Sequence, residues 1–122
     1  MSNKKLSTQL KGAHGENVAA TYLLQNGFEV LHRNWRYRHC EIDLICSKEK
    51  VLHFVEVKTR TTKQFGNPEE SISAKKMNAL KKAAEHYLIE HTEWKNLQFD
   101  VVSIILNGEN IEEIFFIVDV FF

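Results

Sequence analysis

The segment Val55-Glu-Val-Lys58 places an acid and a base within an apolar stretch. If the segment is a strand, Glu56 and Lys58 lie on one face, because strand residues two apart share a face. A carboxylate and an ammonium are costly in an apolar strand unless they are paired or used in chemistry. Asp43 lies between apolar residues in the preceding predicted strand. A hairpin about residues 47–50 would bring Asp43 close to Val55 or Glu56, so that two carboxylates and one lysine converge.

Two carboxylates and a lysine suit the metal-assisted cleavage of a phosphodiester. Mg²⁺, or Mn²⁺ in its place, prefers oxygen ligands and is commonly held by one or two carboxylates with water and substrate phosphate. The metal lowers the pKa of a bound water. The lysine can orient or deprotonate that water, or stabilise the charge that develops on the phosphate. The spacing of Asp43, Glu56 and Lys58 alone fits a solvent-facing strand surface with a Glu–Lys pair equally well.

Glu16 is a further candidate, because it lies on or beside the apolar stripe of the first predicted helix. Ala19, Ala20 and Leu23 follow it at spacings of three, four and seven residues, on the same helical face. A buried glutamate needs a partner, and a metal or its water shell is one. The alternative is a glutamate near a helix N-terminus that is favoured by the helix dipole.

Hydrophobic periodicity and turn residues predict the elements that position these side chains. We expect helices at 8–25 and from near 68 or 73 to 90, and strands at 28–32, 41–46, 51–58, 99–106 and 111–122. Gly27 is predicted to cap the first helix in the left-handed conformation, and Asn107-Gly108 to form a hairpin turn. This order predicts an α/β domain spanning residues 1–122, with a mixed sheet flanked by helices and the second helix as a crossover. Residues 1–8 are expected to be flexible.

A basic and aromatic cluster occupies residues 33–39, which are either a strand end or a loop. Arg36 and Arg38 could bind phosphates, and Trp35 or Tyr37 could stack on bases. The alternative is a solvated strand end with Trp35 in the core, and we favour this for the tryptophan.

Composition limits the classes of protein that need to be considered. The net charge is zero, but residues 1–60 carry ten Lys or Arg against six Asp or Glu, which leaves a mildly basic body that could bind a polyanion. No run approaches the roughly 20 apolar residues needed to cross a bilayer, and Met1–Leu6 has no apolar segment behind it that would make a secretory signal. We therefore expect a cytoplasmic protein without a membrane partner.

Several motifs in order resemble the YraN family of small bacterial proteins. They are Gly15-Glu16, Asn34, Glu41-Ile-Asp-Leu-Ile45, Phe54-Val-Glu-Val-Lys58, Arg60, Phe65-Gly66 with Pro68, Lys76, Ala83-Ala84 and Phe99-Asp100. The chain departs from the family pattern at two positions, with Cys40 where glycine is usual and Gln98 where arginine is usual. The loss of an arginine at 98 would remove a partner for a phosphate or a carboxylate.

The resemblance implies a restriction-endonuclease-like fold, similar to that of the PD-(D/E)xK nucleases and the Holliday-junction resolvases. It implies catalytic roles for Glu16, Asp43, Glu56 and Lys58. The corresponding metal site, for Mg²⁺ or Mn²⁺, would comprise Asp43, Glu56 and the backbone carbonyl of Val57. Lys76 matches the family's helix lysine and could reach a phosphate. The residues predicted to bind nucleic acid are Arg36, Arg38, Arg60 and Lys76.

Three functional hypotheses follow from the sequence. The first is a metal-dependent endonuclease that cleaves structured DNA. The second is a nucleic-acid-binding protein that keeps the nuclease fold and does not cleave. The third is a protein-interaction domain, in which the apolar segment 114–122 pairs across a two-fold axis. A homodimer is compatible with either of the first two, because it would present two sites to two DNA strands.

Overall fold

The computed structural model describes residues 4–61, 73–108 and 110–118, with side chains from residue 14 onwards. Along the chain these residues form α1 (Lys4–Gln25), β1 (Glu29–Tyr37), β2 (Cys40–Lys48), β3 (Val51–Arg60), α2 (Ala74–Glu90), β4 (Asn96–Asn107) and β5 (Asn110–Ile117). The alternative helix start near residue 68 lies outside the described residues. So do parts of the predicted flexible N-terminus and of the segment 114–122.

The five strands form one sheet in the order β1-β2-β3-β4-β5. Strands β3 and β4 are parallel and the other neighbouring pairs are antiparallel. A parallel pair requires a crossover, and α2 supplies it between β3 and β4. The protein is therefore α/β, with a restriction-endonuclease-like mixed sheet flanked by helices, as the sequence predicts. Among the described residues, no helix is long and apolar enough to cross a membrane.

Helix α1 covers one face of the sheet. Its end is fixed as predicted by Gly27, whose φ of 86° is left-handed and favours glycine. The Phe28 N–H donates to the Leu23 carbonyl at 3.0 Å and the Gly27 N–H to the Leu24 carbonyl at 3.2 Å, the two bonds of a Schellman cap. The fully or largely buried core on this face comprises Ala19, Ala20, Leu23, Phe28, Leu44, Cys46, Val55, Val102, Ile104 and Leu106.

Close packing of α1 on β3 depends on Gly15, because a Cβ atom there would collide with Thr59 Oγ1. We expect Gly15→Ala to lower the free energy of unfolding by about 1–3 kcal/mol, the usual cost of overpacking. Urea unfolding would measure this loss. Combining Gly15→Ala with Thr59→Ala should recover most of it, because that change removes the oxygen. A Gly15→Ala variant as stable as the natural protein would contradict the close approach.

Helix α2 covers the other face, over β1 and β2. It begins as one of the two predictions has it, because Ser73 is the N-cap and its hydroxyl accepts the Lys76 N–H at 3.2 Å. Trp35 packs against the core on this side, as favoured from the sequence. The buried residues of this core are Ile42, Ile45, Leu52, Phe54, Leu80, Ala83, Ala84 and Tyr87.

Several elements differ from the predicted bounds, and three of the differences have a clear physical reason. Helix α1 begins at Lys4 instead of residue 8, because residues 4–11 contain good helix formers and no proline. Strand β1 continues through the basic stretch to Tyr37, because only alternate side chains of an outer strand need to be apolar. Strand β4 begins at Asn96, since it pairs with β3 from the first residue of that strand.

Candidate active site

The candidate site lies where β2 and β3 leave their regular pairing. Leu44 pairs with Val55, so the next position along β2, Asp43, comes beside Glu56. The Asp43 carboxylate accepts the backbone N–H of Val57, with Oδ2 2.8 Å from the nitrogen. The Asp43 side chain thus accepts a backbone N–H of β3 that points towards β2. Asp43 and Glu56 lie side by side, as the predicted hairpin requires.

Asp43 is a carboxyl group whose charge the protein disfavours. Burial raises its pKa to about 7, and the neighbouring Glu56 carboxylate adds to the increase by charge repulsion and a side-chain hydrogen bond. The Val57 N–H and the Lys76 ammonium act in the opposite direction and lower this pKa. Two buried carboxyl groups in contact need an additional cation to be ionised together.

Glu56 is buried on the face of β3 that carries Phe54, and it is only 3% exposed. Its Oε2 atom is 3.4 Å from the Nζ atom of Lys76 on α2. Its other oxygen, Oε1, is buried and has no hydrogen-bond partner among the described residues. An unpartnered buried carboxylate oxygen is costly in a folded protein, and it is a ligand that a divalent cation would accept.

Lys58 is half-buried two residues beyond Glu56 on the same strand. Within the described part of the chain it makes no ion pair. In the parallel register its neighbour on β4 is Ser103, whose hydroxyl is buried without a hydrogen-bond partner in the described residues. A role for Ser103 was not predicted from the sequence. The feature that could have indicated one is a single hydroxyl in the apolar run Val101–Leu106.

Glu16 on α1 is half-buried and faces the same acidic group. Burial is the main cause that raises its pKa, and the charges of Asp43 and Glu41 raise it further. A side-chain hydrogen bond with Asn34 acts against them. The charge interaction with Asp43 indicates that Glu16 lies at the edge of the predicted catalytic group.

Asn34 lies within β1, beside this acidic group. The residues on either side of it pair with Leu44 and Ile42, which places it opposite Asp43. Its φ of 52° is left-handed, a conformation in which asparagine is favoured over most residues other than glycine. Asn34 therefore combines an unusual backbone with a side chain directed to Glu16.

The residues that could hold a divalent cation are Asp43 and Glu56, with the Val57 carbonyl. The N–H and C=O of one strand residue point to the same edge, so this carbonyl lies on the side of the Val57 N–H, towards Asp43. In the described residues no group of three or more His, Cys, Asp or Glu is arranged to hold a metal ion. Two carboxylates with one carbonyl still fit Mg²⁺, which keeps several waters, and the unpartnered Glu56 Oε1 supports this fit.

The arginines predicted to bind phosphate differ in the contacts that they make within the protein. Arg36 pairs with Glu41, with Nε and Oε2 3.0 Å apart. Arg38, in the turn after β1, places its guanidinium 5.3 Å from the centre of the Tyr37 ring. Arg60 is the last residue of β3. Their predicted contacts with nucleic acid stay predictions.

A cleft of about 550 Å³ separates the β1–β2 hairpin from α2. The Tyr37 ring stacks on His86, with ring centres 4.0 Å apart. The residues that line the cleft are Tyr37, Arg38, His39, Cys40, Lys82, Glu85, His86 and Ile89. Tyr37, one of the two aromatic residues predicted to stack on a base, is thus stacked on a side chain of the protein.

A second buried polar group lies under α1 and was not predicted from the sequence. His53 Nδ1 is 2.6 Å from Asp100 Oδ2, and Gln98 donates to Asp100 Oδ1 at 3.0 Å. Gln98 thus supplies a carboxylate partner at the position where an arginine is usual. Burial, with the Asp100 charge, raises the pKa of the Cys46 thiol to about 12. Cys46 is a core side chain, as predicted, and its thiol is not activated as a nucleophile.

Comparisons with known proteins agree with this arrangement of motifs. The model of the uncharacterised protein family UPF0102 matches residues 15–104. A UPF0102 protein of Caldicellulosiruptor bescii is 45% identical over 101 residues, which cover 81% of this chain and 85% of that protein. A UPF0102 protein of Chloroherpeton thalassium is 39% identical over 118 residues, 90% of this chain and 92% of that protein. The chain therefore belongs to the family UPF0102, the YraN family that its motifs resemble.

Proposed function

We propose that this protein is a metal-dependent endonuclease of the PD-(D/E)xK type that hydrolyses phosphodiesters in structured DNA. The observation that carries the proposal is the contact between two buried carboxyl groups, Asp43 and Glu56, at the point where β2 and β3 separate. Lys58 follows on the same face of β3. A site built only to stabilise the fold would not need two repelling carboxyl groups in contact.

Asp43, Glu56 and the Val57 carbonyl would hold Mg²⁺ or Mn²⁺. When bound, the cation would supply an acidified water and positive charge for the phosphate. A water oxygen forms a bond to phosphorus, one phosphorus–oxygen ester bond breaks, and the leaving oxygen takes up a proton. Lys58 orients the water or removes its proton. Glu16 contributes a further negative charge at the edge of the site.

Phosphates flanking the cleaved bond are proposed to contact Arg36, Arg38, Arg60 and Lys76. We propose a cytoplasmic location, because the relatives are bacterial proteins and a bacterial cell keeps its DNA in the cytoplasm. A homodimer is proposed through the apolar segment 114–122, because β5 is an outer strand of the sheet that the described residues form, and an outer strand can pair with a second copy. Two sites related by a two-fold axis would act on two strands.

We expect the purified protein to cleave at least one of linear, nicked, flapped or four-way DNA with Mg²⁺ or Mn²⁺, and none with EDTA. Lys58→Ala should reduce the cleavage rate about 100-fold or more, the usual effect of removing an acid–base group. Lys95→Ala is the matched control, because Lys95 is exposed beside the opposite ends of β3 and β4. The absence of cleavage on all four substrates with both metals would contradict the proposal.

The second candidate is a nucleic-acid-binding protein that does not cleave. The ion pair between Lys76 and Glu56 favours it, because Glu56 already has a counter-charge from the protein. This candidate predicts salt-dependent DNA binding without a metal. Arg36→Ala and Lys76→Ala should weaken such binding, and Glu56→Ala should not. The endonuclease proposal predicts instead that Glu56→Ala has a larger effect on cleavage than Arg36→Ala or Lys76→Ala.

A further inference from the structure

Lys76 makes an unusual contact for a residue expected to bind phosphate. It lies in the first turn of α2, and its ammonium is 3.4 Å from Oε2 of Glu56. The Glu56 side chain is 4% exposed and the Lys76 side chain 38%. The acid is therefore fixed in the interior, and the lysine approaches it from the solvent side.

The charges at the site do not balance with Lys76 alone. Asp43 and Glu56 carry two negative charges when both are ionised, and one ammonium neutralises one of them. A buried carboxylate without a counter-charge is strongly disfavoured. The ammonium also lowers the pKa of Asp43, so it acts on both acids. Lys76 thus supplies one of the two positive charges that a divalent cation would supply at this site.

The two partners of the ion pair differ in their freedom to move. Glu56 is held by a central strand between β2 and β4. A lysine carries its charge on a flexible four-carbon stem and can return that charge to water at low cost. When a cation arrives, the lysine can leave and the glutamate cannot.

We propose that the Lys76 ammonium takes the place of a divalent cation at Glu56, and that binding of the cation releases Lys76 to contact a substrate phosphate. The inference rests on the proposed function, because it assumes a cation site at Asp43 and Glu56. It makes Lys76 a binding residue that couples metal binding to DNA binding. Coupling of this kind is reciprocal, so DNA and the cation each strengthen binding of the other.

The first test measures Mn²⁺ binding by calorimetry, at pH 8.5 to limit protonation of Asp43. Lys76→Met keeps the stem of the side chain and removes its charge. We expect it to bind Mn²⁺ about tenfold more tightly than the natural protein, because a charged hydrogen bond no longer competes. Lys75→Met is the matched control, since Lys75 is an exposed neighbour on α2. Unchanged or weaker Mn²⁺ binding by Lys76→Met would overturn the inference.

The second test measures DNA binding by fluorescence anisotropy, in Ca²⁺ and in EDTA. Lys76→Met should weaken binding in Ca²⁺ about three- to tenfold, as expected for the loss of a phosphate contact. In EDTA the same variant should bind within about twofold of the natural protein, because Lys76 is then held by Glu56. An equal loss under both conditions would overturn the coupling and leave Lys76 as a simple phosphate contact.

The two levels of the proposal fail in different ways. If the natural protein binds no Mn²⁺, both the proposed function and this inference are wrong. If it binds Mn²⁺ and cleaves DNA, but Lys76→Met binds Mn²⁺ as the natural protein does, only the inference is wrong. Thermal unfolding of each variant in EDTA shows whether the fold survives.

Discussion

Glu56→Gln is expected to abolish metal-dependent cleavage while the fold survives. Glutamine has nearly the volume and shape of glutamate, so the buried position on β3 stays filled. It has no negative charge, which leaves Asp43 as the one buried carboxylate available to a cation between β2 and β3. We expect cleavage to fall by about 1,000-fold or more, as for other groups that stabilise charge in a transition state, and Mn²⁺ binding to become too weak to measure by calorimetry.

The stability of Glu56→Gln should change little. The substitution removes the repulsion between Glu56 and Asp43, and it also removes the ion pair with Lys76. These effects oppose one another, and the Lys76 ammonium can return to water because its side chain is partly exposed. Thermal unfolding in EDTA should therefore resemble that of the natural protein. The control is Glu29→Gln, an exposed glutamate at the start of β1, and cleavage by Glu56→Gln at the natural rate would rule out the assigned role.

Asp43→Asn is expected to stabilise the metal-free protein at pH 8. The pKa of Asp43 is about 7 in the folded protein, against an ordinary value of 3.8. The folded state therefore binds this proton more tightly than the unfolded state does. The contribution of Asp43 to the free energy of unfolding is greatest below about pH 4, falls as the pH rises towards 7, and levels off above that. The difference amounts to about 4 kcal/mol, because the pKa differs by about three units and each unit corresponds to about 1.4 kcal/mol.

Asparagine cannot ionise, and its side-chain oxygen can still accept the Val57 N–H. Urea unfolding in EDTA should show Asp43→Asn to be about 4 kcal/mol more stable than the natural protein at pH 8. At pH 4 the two proteins should be close to equal. Other groups titrate over this range, including Glu16, so the quantity to follow is the difference between the two proteins. A less stable Asp43→Asn at pH 8 would contradict the raised pKa.

Mn²⁺ should narrow the difference in stability between the two proteins at pH 8. The natural protein gains stability from a ligand that binds only its folded state, and Asp43→Asn should gain little. A variant that is more stable and inactive is expected where a site keeps like charges together for function. Stabilisation by Mn²⁺ to the same extent in both proteins would place the cation away from Asp43.

The sequence alone was sufficient to predict that Asp43 lies beside Glu56, with Lys58 two residues further along the same face of β3. Strand side chains alternate, and a four-residue turn leaves few registers for the β2–β3 hairpin. These are local constraints, acting within about 16 residues of one another along the chain. The same applies to Gly27, whose conformation follows from the end of α1. The catalytic roles remain predictions, since geometry alone does not test chemistry.

Contacts between distant parts of the chain were decided only by the tertiary structure. Lys76 reaches Glu56 because α2 crosses over the sheet with its first turn beside β3, and no local pattern fixes that docking. His53 meets Asp100 because β3 and β4 pair in parallel across the whole crossover. Alternation and turns specify neighbours along the chain, whereas the docking of a helix and the register of parallel strands depend on packing across the entire core.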